Sequence, residues 1–379
     1  MKIALVSAYF YPLSQGGTEK YVLNLAKKLI QDGDDVNVIT VDSTIFKTYE
    51  YQNIKVYAIS DEIYTEKYMT AGFQPGNMLA FQEILRNEKY DIVHFHTLTP
   101  AFNIHHIELA KKNGAKIHFT AHVSSITCIH GDLMQFGQVA CDGIITQTRC
   151  TACHLSKSKL PKKSSLLLAN TILFFGFPKN LSVVVTRKQF ELKRLNEISD
   201  VIFLFTKWQK LVFVENGFDP EKIIITNQII NRKLIPNGNA NKNIQNIGFV
   251  GRITREKGLH ILIHAFNKIA KPKIQLHIAG IINDLDYHKS LIANVKNRKI
   301  IWSYNLDEQQ MEDFYKKIDL LVIPSISYET GPFVLFEALE RNIPIIANDL
   351  GDISEWKKRG FNVNLYTKES ELILLLSNL

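Results

Sequence analysis

Short apolar runs separated by segments of helical period set the architecture of this chain. Residues 3–8, 36–41, 91–95, 116–120, 200–205 and 222–226 are dense in Ile, Val, Leu and Phe, and so are 247–251, 275–280, 319–324 and 344–347. Short runs with little polar alternation predict strands buried on both faces, as in parallel sheets. Between them apolar positions recur at helical spacing: Tyr21, Leu25, Leu29 and Ile30, then residues 100–113, then 208–216 stopped by Gly217. The same spacing returns at Leu262, Ile263 and Phe266, and at Val334, Leu335, Ala338 and Leu339. Strand, loop, helix and strand in repetition predict an α/β chain of βαβ units. Residues 231–245 carry Asn, Lys and Pro without period and read as a linker. The 379 residues then divide into an N-terminal domain, 1–230, and a C-terminal one, 231–379.

In parallel sheets ligands bind beyond the carboxyl ends of the strands, and the candidate chemistry falls there. Gly16 and Gly17 follow the first strand, with Thr18 as a helix cap. His94 and His96 share one face at the end of the 91–95 strand, and His122 stands at the next strand end. His94 reads as core, and His96 as the one nearest the loop. Arg252 and Lys257 straddle a strand-to-helix loop, where two cations can grip a diphosphate or where they are an ordinary surface pair. After the 319–324 run, Glu329 lies in a loop, Gly331-Pro332 opens a helix through Phe333, and Glu337 lies inside it. Pro suits the first turn of a helix, and the free N–H groups of that turn attract phosphate. Two carboxylates flanking an anion site suit a nucleotide sugar. A surface helix with two solvated glutamates has the same spacing.

The formal charge of +8 favours anionic partners. The lysines are interspersed with acids, and no basic stripe with interleaved aromatics points to nucleic acid. The N-terminus imitates a brief signal peptide but lacks a small-residue cleavage site, and no run is long enough to span a bilayer. A cytoplasmic protein with reduced thiols is expected. All four cysteines, Cys128, Cys141, Cys150 and Cys153, fall in one segment at about 123–165. The Cys150–Cys153 pair can clasp a structural zinc with Cys128 and Cys141, or with His130 or His154 as substitutes. Four free thiols fit equally. Next come Lys157, Lys159, Lys162 and Lys163 and an apolar run at 166–177. That order matches either a helix lying on a membrane surface or a core-facing helix with a solvated basic lead.

Read together, these stretches resemble a known family nearly end to end. They are Gly16-Gly17-Thr18-Glu19, "DIVHFH", "FTAH", "GFVGRITREKG", "IPSISYETGPFVLFEAL" and "IPIIANDLGDISEW". The sequence resembles the retaining glycosyltransferases of family four, which have the GT-B fold: two Rossmann-like parallel-sheet domains facing a central cleft. The resemblance implies that Glu337 holds the donor's ribose and Glu329 the hydroxyls of the transferred sugar. Arg252, Lys257 and the backbone after Gly331, at Pro332 and Phe333, would bind the diphosphate. His122 would face the donor sugar, and Gly16, Gly17 and His96 would line the acceptor side. It implies transfer from a nucleoside-diphosphate sugar, without a required metal cofactor, to a glycan or lipid-linked acceptor. Cell-surface polysaccharide or lipopolysaccharide synthesis, peripheral on the inner face of the membrane, is the setting it suggests. The chain departs from the pattern at Val123, where the family often has Asp. It departs again at Glu329-Thr-Gly-Pro332, where Glu-x-Phe-Gly is common, and at Asn342, where Gly is usual. A nucleotide-sugar epimerase or phosphorylase on the same fold, or a non-catalytic membrane-surface module, shares many of these features.

Overall fold

The computed structural model describes every residue except 15, 43–45, 61–75, 158–159, 176–178, 230–233, 235–243 and 297–298. The chain forms two compact units. One is Met1–Gly137 with Asp142–Asn231, the other Arg232–Leu379 with Gln138–Cys141. Most of the linker read at 231–245 lies outside the described residues.

The first unit is built on an eight-stranded sheet. Its strands are β1 (Lys2–Val6), β2 (Asp35–Asp42), β3 (Lys47–Tyr51), β4 (Ile54–Ser60), β5 (Ile92–Phe95) and β6 (Lys116–Thr120), followed by β9 (Val201–Leu204) and β10 (Ile223–Ile225). Two-residue strands β7 (Met134–Gln135) and β8 (Val139–Ala140) lie outside it. The order is β10-β9-β6-β5-β1-β2-β4-β3, and every pair is parallel except β3 with β4. Its helices are α1 (Gly17–Gln31), α2 (Met78–Glu88), α3 (Ile104–Lys112), α4 (Gln147–Lys157), α5 (Lys162–Phe175), α6 (Lys179–Ile198) and α7 (Lys207–Glu215).

The run in β1 has no polar alternation because both of its faces are covered. Ala4 and Val6 enter one core with Val93, Phe95 and Ile117. Ile3 and Leu5 enter the core on the other face with Val22, Ala26, Val38 and Val56. The antiparallel β3–β4 hairpin, which the apolar runs do not announce, turns on Gln52 and Asn53, both at positive φ.

The second unit has a six-stranded parallel sheet, β13-β12-β11-β14-β15-β16. The strands are β11 (Asn246–Ile253), β12 (Gln275–Ile282), β13 (Ile300–Tyr304), β14 (Leu320–Ile323), β15 (Ile345–Asn348) and β16 (Val363–Tyr366). Its helices are α8 (Leu259–Lys268), α9 (Leu285–Ala293), α10 (Glu308–Lys317), α11 (Phe333–Glu340), α12 (Ile353–Lys358) and α13 (Glu369–Ser377). Ile247, Phe249, Leu262, Phe266, Leu276 and Ile278 centre its core. In each sheet the order of strands reverses once beside the first strand, between β1 and β5 and between β11 and β14. Loops leave such a switch point in opposite directions and open a crevice at the carboxyl ends.

Candidate active site

The switch point of the second unit brings two distant pieces of sequence together. β11 and β14 lie side by side in parallel register, Ile247 opposite Leu320 and Gly248 opposite Leu321. Beyond β11 a tight 3-10 turn, Arg255–Lys257, ends at Gly258, whose φ of +69° favours glycine. A Cβ on Gly258 would stand 1.8 Å from the Pro324 carbonyl oxygen, so this turn lies directly against the end of β14. The Ile326 N–H donates to the Glu256 carbonyl at 2.8 Å, fastening the two loops.

The result is a cluster that spacing alone does not reveal. Lys257 Nζ lies 2.6 Å from Glu329 Oε1, and the Ser325 hydroxyl donates to the same oxygen at 2.6 Å. The side chains are 22% and 11% exposed for Lys257 and Glu329, so the pair is largely withdrawn from water. Burial alone would raise the Glu329 carboxyl. The Lys257 charge, the bonds from Lys257 and Ser325, and the charge of Arg252 outweigh it and hold the group below its ordinary value. The Glu329 backbone is fixed by a parallel bridge to Gly351, itself at φ +73°. Asn348 Nδ2 donates to the Ser325 carbonyl at 2.9 Å. Loops after β11, β14 and β15 thus converge on one carboxylate.

Arg252 contributes charge to this cluster but is held more loosely. It lies within β11, 58% exposed, with Nη2 3.7 Å from Glu256 Oε1. Helix α11 begins at Phe333, one residue later than expected. Pro332 has helical φ, −63°, but extended ψ, 135°, and so stands at the N-cap rather than in the first turn. Glu337 follows one turn inside, half-buried, and its Oε2 accepts from the Tyr315 hydroxyl at 2.8 Å. Sequence reasoning named neither Ser325 nor Tyr315. Ser325 sits in the quoted stretch and could have been found as the hydroxyl nearest the β14 end. Tyr315 belongs to a helix with no unusual pattern and gives no signal.

The first unit places different chemistry at its strand ends. His96 Nδ1 and His122 Nε2 are 2.9 Å apart, and Tyr21 from α1 packs edge-on against His122 with ring centres 4.7 Å apart. The His94 ring lies tilted against His96 with centres 4.1 Å apart and bonds the Thr120 hydroxyl at 2.7 Å. Burial pulls His122 down to about 3 and holds His94 and His96 well below the usual imidazole value, so these rings are neutral. His94 is core, as the alternation implies. His96 differs from its expected place lining a cleft: it is 2% exposed, because His122 covers the strand end in front of it. Gly16 caps α1 and Gly17 begins it, with the Glu19 carboxylate folded back beside Gly16 and accepting from the Ser14 hydroxyl at 2.6 Å.

The four cysteines are free thiols of intermediate burial. Cys128, Cys150 and Cys153 influence one another electrostatically, and the Phe136 N–H donates to Cys153 Sγ at 3.3 Å. Among the described residues no three His, Cys, Asp or Glu side chains gather as metal ligands would. Helix α5 buries Ser165, Ala169 and Ile172 and exposes Leu167 (72%) and Phe174 (83%) beside exposed Lys162 and Lys163. It therefore has a packed face and an outer face on which Leu167 and Phe174 stand among exposed Ser164, Asn170 and Thr171. Among the described residues no helix is long and apolar enough to cross a membrane.

Two units, each a largely parallel sheet with polar side chains at its switch point, have the architecture of the GT-B fold. The model for glycosyl transferases group 1 matches residues 231–371, and that for glycosyltransferase family 4 matches residues 15–167. The chain belongs to this glycosyltransferase family and is an enzyme of that class. It is 26% identical over 384 residues to an uncharacterized glycosyltransferase, MJ1607, of Methanocaldococcus jannaschii, covering 98% of this chain and 87% of the relative. Among solved structures it is similar to Anabaena Alr3699/HepE in complex with UDP and glucose (TM-score 0.65, 14% identity, 100% of this chain and 89% of that one). It is also similar to the lipopolysaccharide outer core galactosyltransferase WaaB (TM-score 0.58, 16% identity, 100% and 90%).

Proposed function

We propose that the protein is a retaining hexosyltransferase. It moves a sugar from a nucleoside diphosphate to a glycan or lipid-linked acceptor in cell-surface polysaccharide or lipopolysaccharide synthesis. The observation that carries this reading is the Lys257–Glu329–Ser325 cluster at the β11/β14 switch point. The setting is supported by the likeness to WaaB, named for lipopolysaccharide. A bound diphosphate draws on Lys257, on Arg252 and on the first N–H groups of α11 beyond Gly331, Pro332 and Phe333. Glu329 accepts from hydroxyls of the transferred sugar, and Glu337 from the ribose. His122, uncharged, offers a hydrogen bond to a sugar hydroxyl without an ionic preference.

In the reaction the bond from the anomeric carbon to the phosphate oxygen breaks as the acceptor oxygen forms its own bond on the same face. The departing diphosphate takes the acceptor proton. Lys257 and Arg252 meet the negative charge that grows on the leaving phosphate, the place where preorganised cations contribute most. Gly16 and Gly17 leave room for the acceptor or the phosphates beside α1. Helix α5, with Leu167 and Phe174 outward and Lys162 and Lys163 at its start, seats the enzyme on an anionic inner membrane surface where a lipid-linked acceptor resides.

The test is turnover of a panel of UDP-, GDP- and ADP-sugars with and without glycan and lipid-linked acceptors. Free nucleoside diphosphate released only with acceptor, and a product anomer matching that of the donor, are expected. Consumption of donor that is indifferent to acceptor would point to an epimerase or phosphorylase. An inverted product would remove the retaining mechanism.

A further inference from the structure

Glu329 and Glu337 are held by unlike partners, and the partner of Glu337 carries an inference of its own. Tyr315 rises from α10 and is 3% exposed. Its hydroxyl donates to Glu337 Oε2 at 2.8 Å. The Arg341 guanidinium stands 4.7 Å from the centre of the Tyr315 ring. Arg341 also donates from Nη1 to the Glu337 carbonyl at 2.8 Å and pairs with Glu312. The phenol is therefore pinned between the helix that carries it and the last turn of α11. Burial and the Glu337 charge push the phenol well above its ordinary value, so it stays a donor at any working pH.

A carboxylate has about four lone-pair directions, and one phenolic bond does not exhaust them. A free glutamate on a helix surface rotates among several rotamers, and fixing it in advance removes that entropy cost from binding. We propose that Tyr315 is the positioning residue for Glu337: it orients the carboxylate toward the ribose hydroxyls and so makes the donor site discriminate ribonucleotides from deoxyribonucleotides. This rests on Glu337 being the ribose ligand. The specificity follows from chemistry, because a site that holds a fixed acceptor for a hydroxyl loses that bond when the hydroxyl is absent.

The experiment measures dissociation constants by calorimetry for UDP, GDP and ADP, each against its 2′-deoxy and 3′-deoxy form. The proteins are wild type, Tyr315→Phe and Glu337→Gln. Wild type should prefer at least one ribonucleotide over its deoxy forms by about tenfold, the size of a hydrogen bond to a charged group. Tyr315→Phe should weaken that ribonucleotide by roughly tenfold and leave the deoxy forms within about twofold, so that the preference collapses. If ribo and deoxy forms weaken equally, Tyr315 is only structural and the proposal is wrong. It is also wrong if the preference persists in Tyr315→Phe and disappears in Glu337→Gln. A preference absent in wild type, or intact in Glu337→Gln, would instead overturn the ribose role of Glu337, and the proposal with it. The ratio is internal to each sample, so a partly folded variant still reports it. Should Tyr315→Phe yield no folded protein, Tyr315→Met, a phenol-free side chain that adapts to irregular cavities, gives the same readout.

Discussion

The two units solve the same topological problem with opposite chemistry. Each gathers polar side chains where its strand order reverses. In the first unit these are the uncharged imidazoles His94, His96 and His122, the last two packed against Tyr21. In the second they are an ammonium, a carboxylate and a hydroxyl bonded to one another. Buried rings without charge repel no anion and attract none, whereas a mostly buried lysine beside a fixed carboxylate can exchange part of its pairing for a phosphate. The contrast teaches that the topology selects the place and the local sequence selects the charge. Under the proposed function, the charged diphosphate is therefore assigned to the second unit, while the first unit offers only uncharged hydrogen-bonding groups.

The contrast can be broken most severely at Gly258. Gly258→Ala places a Cβ 1.8 Å from the Pro324 oxygen at a φ of +69°. The left-handed strain and the overlap should together cost about 4 kcal/mol. Thermal unfolding should show a lowered transition for the second unit, with turnover lost. A transition within about 1 kcal/mol of wild type would mean that the β11 and β14 loops are not fastened as described.

A second effect sharpens the comparison by pH. Four histidines of the first unit, His94, His96, His106 and His122, are withdrawn from water, and their folded values lie below the ordinary 6.5, those of His106 and His122 at about 3. Their stabilisation is complete above pH 6.5 and is lost as pH falls, because the unfolded chain takes up protons that the fold refuses. Each contributes about 1 kcal/mol of loss between pH 6.5 and 5.5, so roughly 4 kcal/mol in all. Calorimetry should show the first unit's transition falling through that window. The second unit has no fully buried histidine among its described residues, and its transition should move less. Equal shifts would erase the distinction.

The smallest effect is expected at Arg252. Its side chain is 58% exposed with a loose Glu256 partner, so Arg252→Ala should change stability by less than about 0.5 kcal/mol. It should still weaken nucleoside diphosphate binding by roughly tenfold, since its charge reaches the cluster. Unaltered affinity would confine the cationic role to Lys257.

Much of this was legible in the sequence because parallel strands leave unbroken apolar runs. The runs at 3–8, 116–120 and 247–251 each mark a strand, with ends shifted by a few residues at most. In hairpin β3–β4 only β3, Lys47–Tyr51, is polar and largely exposed, which removes its apolar signal; β4, Ile54–Ser60, is buried along most of its length and carries an apolar run broken by Lys55, and the turn uses Gln52-Asn53 rather than a glycine pair. The candidate residues Arg252, Lys257, Glu329 and Glu337 were legible as types at strand and helix ends. Their partners were not. Lys257 and Glu329 are 72 positions apart and meet only because β11 and β14 are neighbours. Tyr315 meets Glu337 through the packing of α10 on α11, a contact that no period in either helix encodes. His96 shows the limit of strand-end reasoning, which finds the right end of the sheet but not which ring stands in front.

The central claim is that the Lys257 ammonium holds the donor's diphosphate. Calorimetric titration of wild type and folded Lys257→Met with the sugar nucleotide that the enzyme turns over tests it most directly. The account predicts an affinity loss of about a hundredfold. Affinity within about twofold of wild type would contradict it.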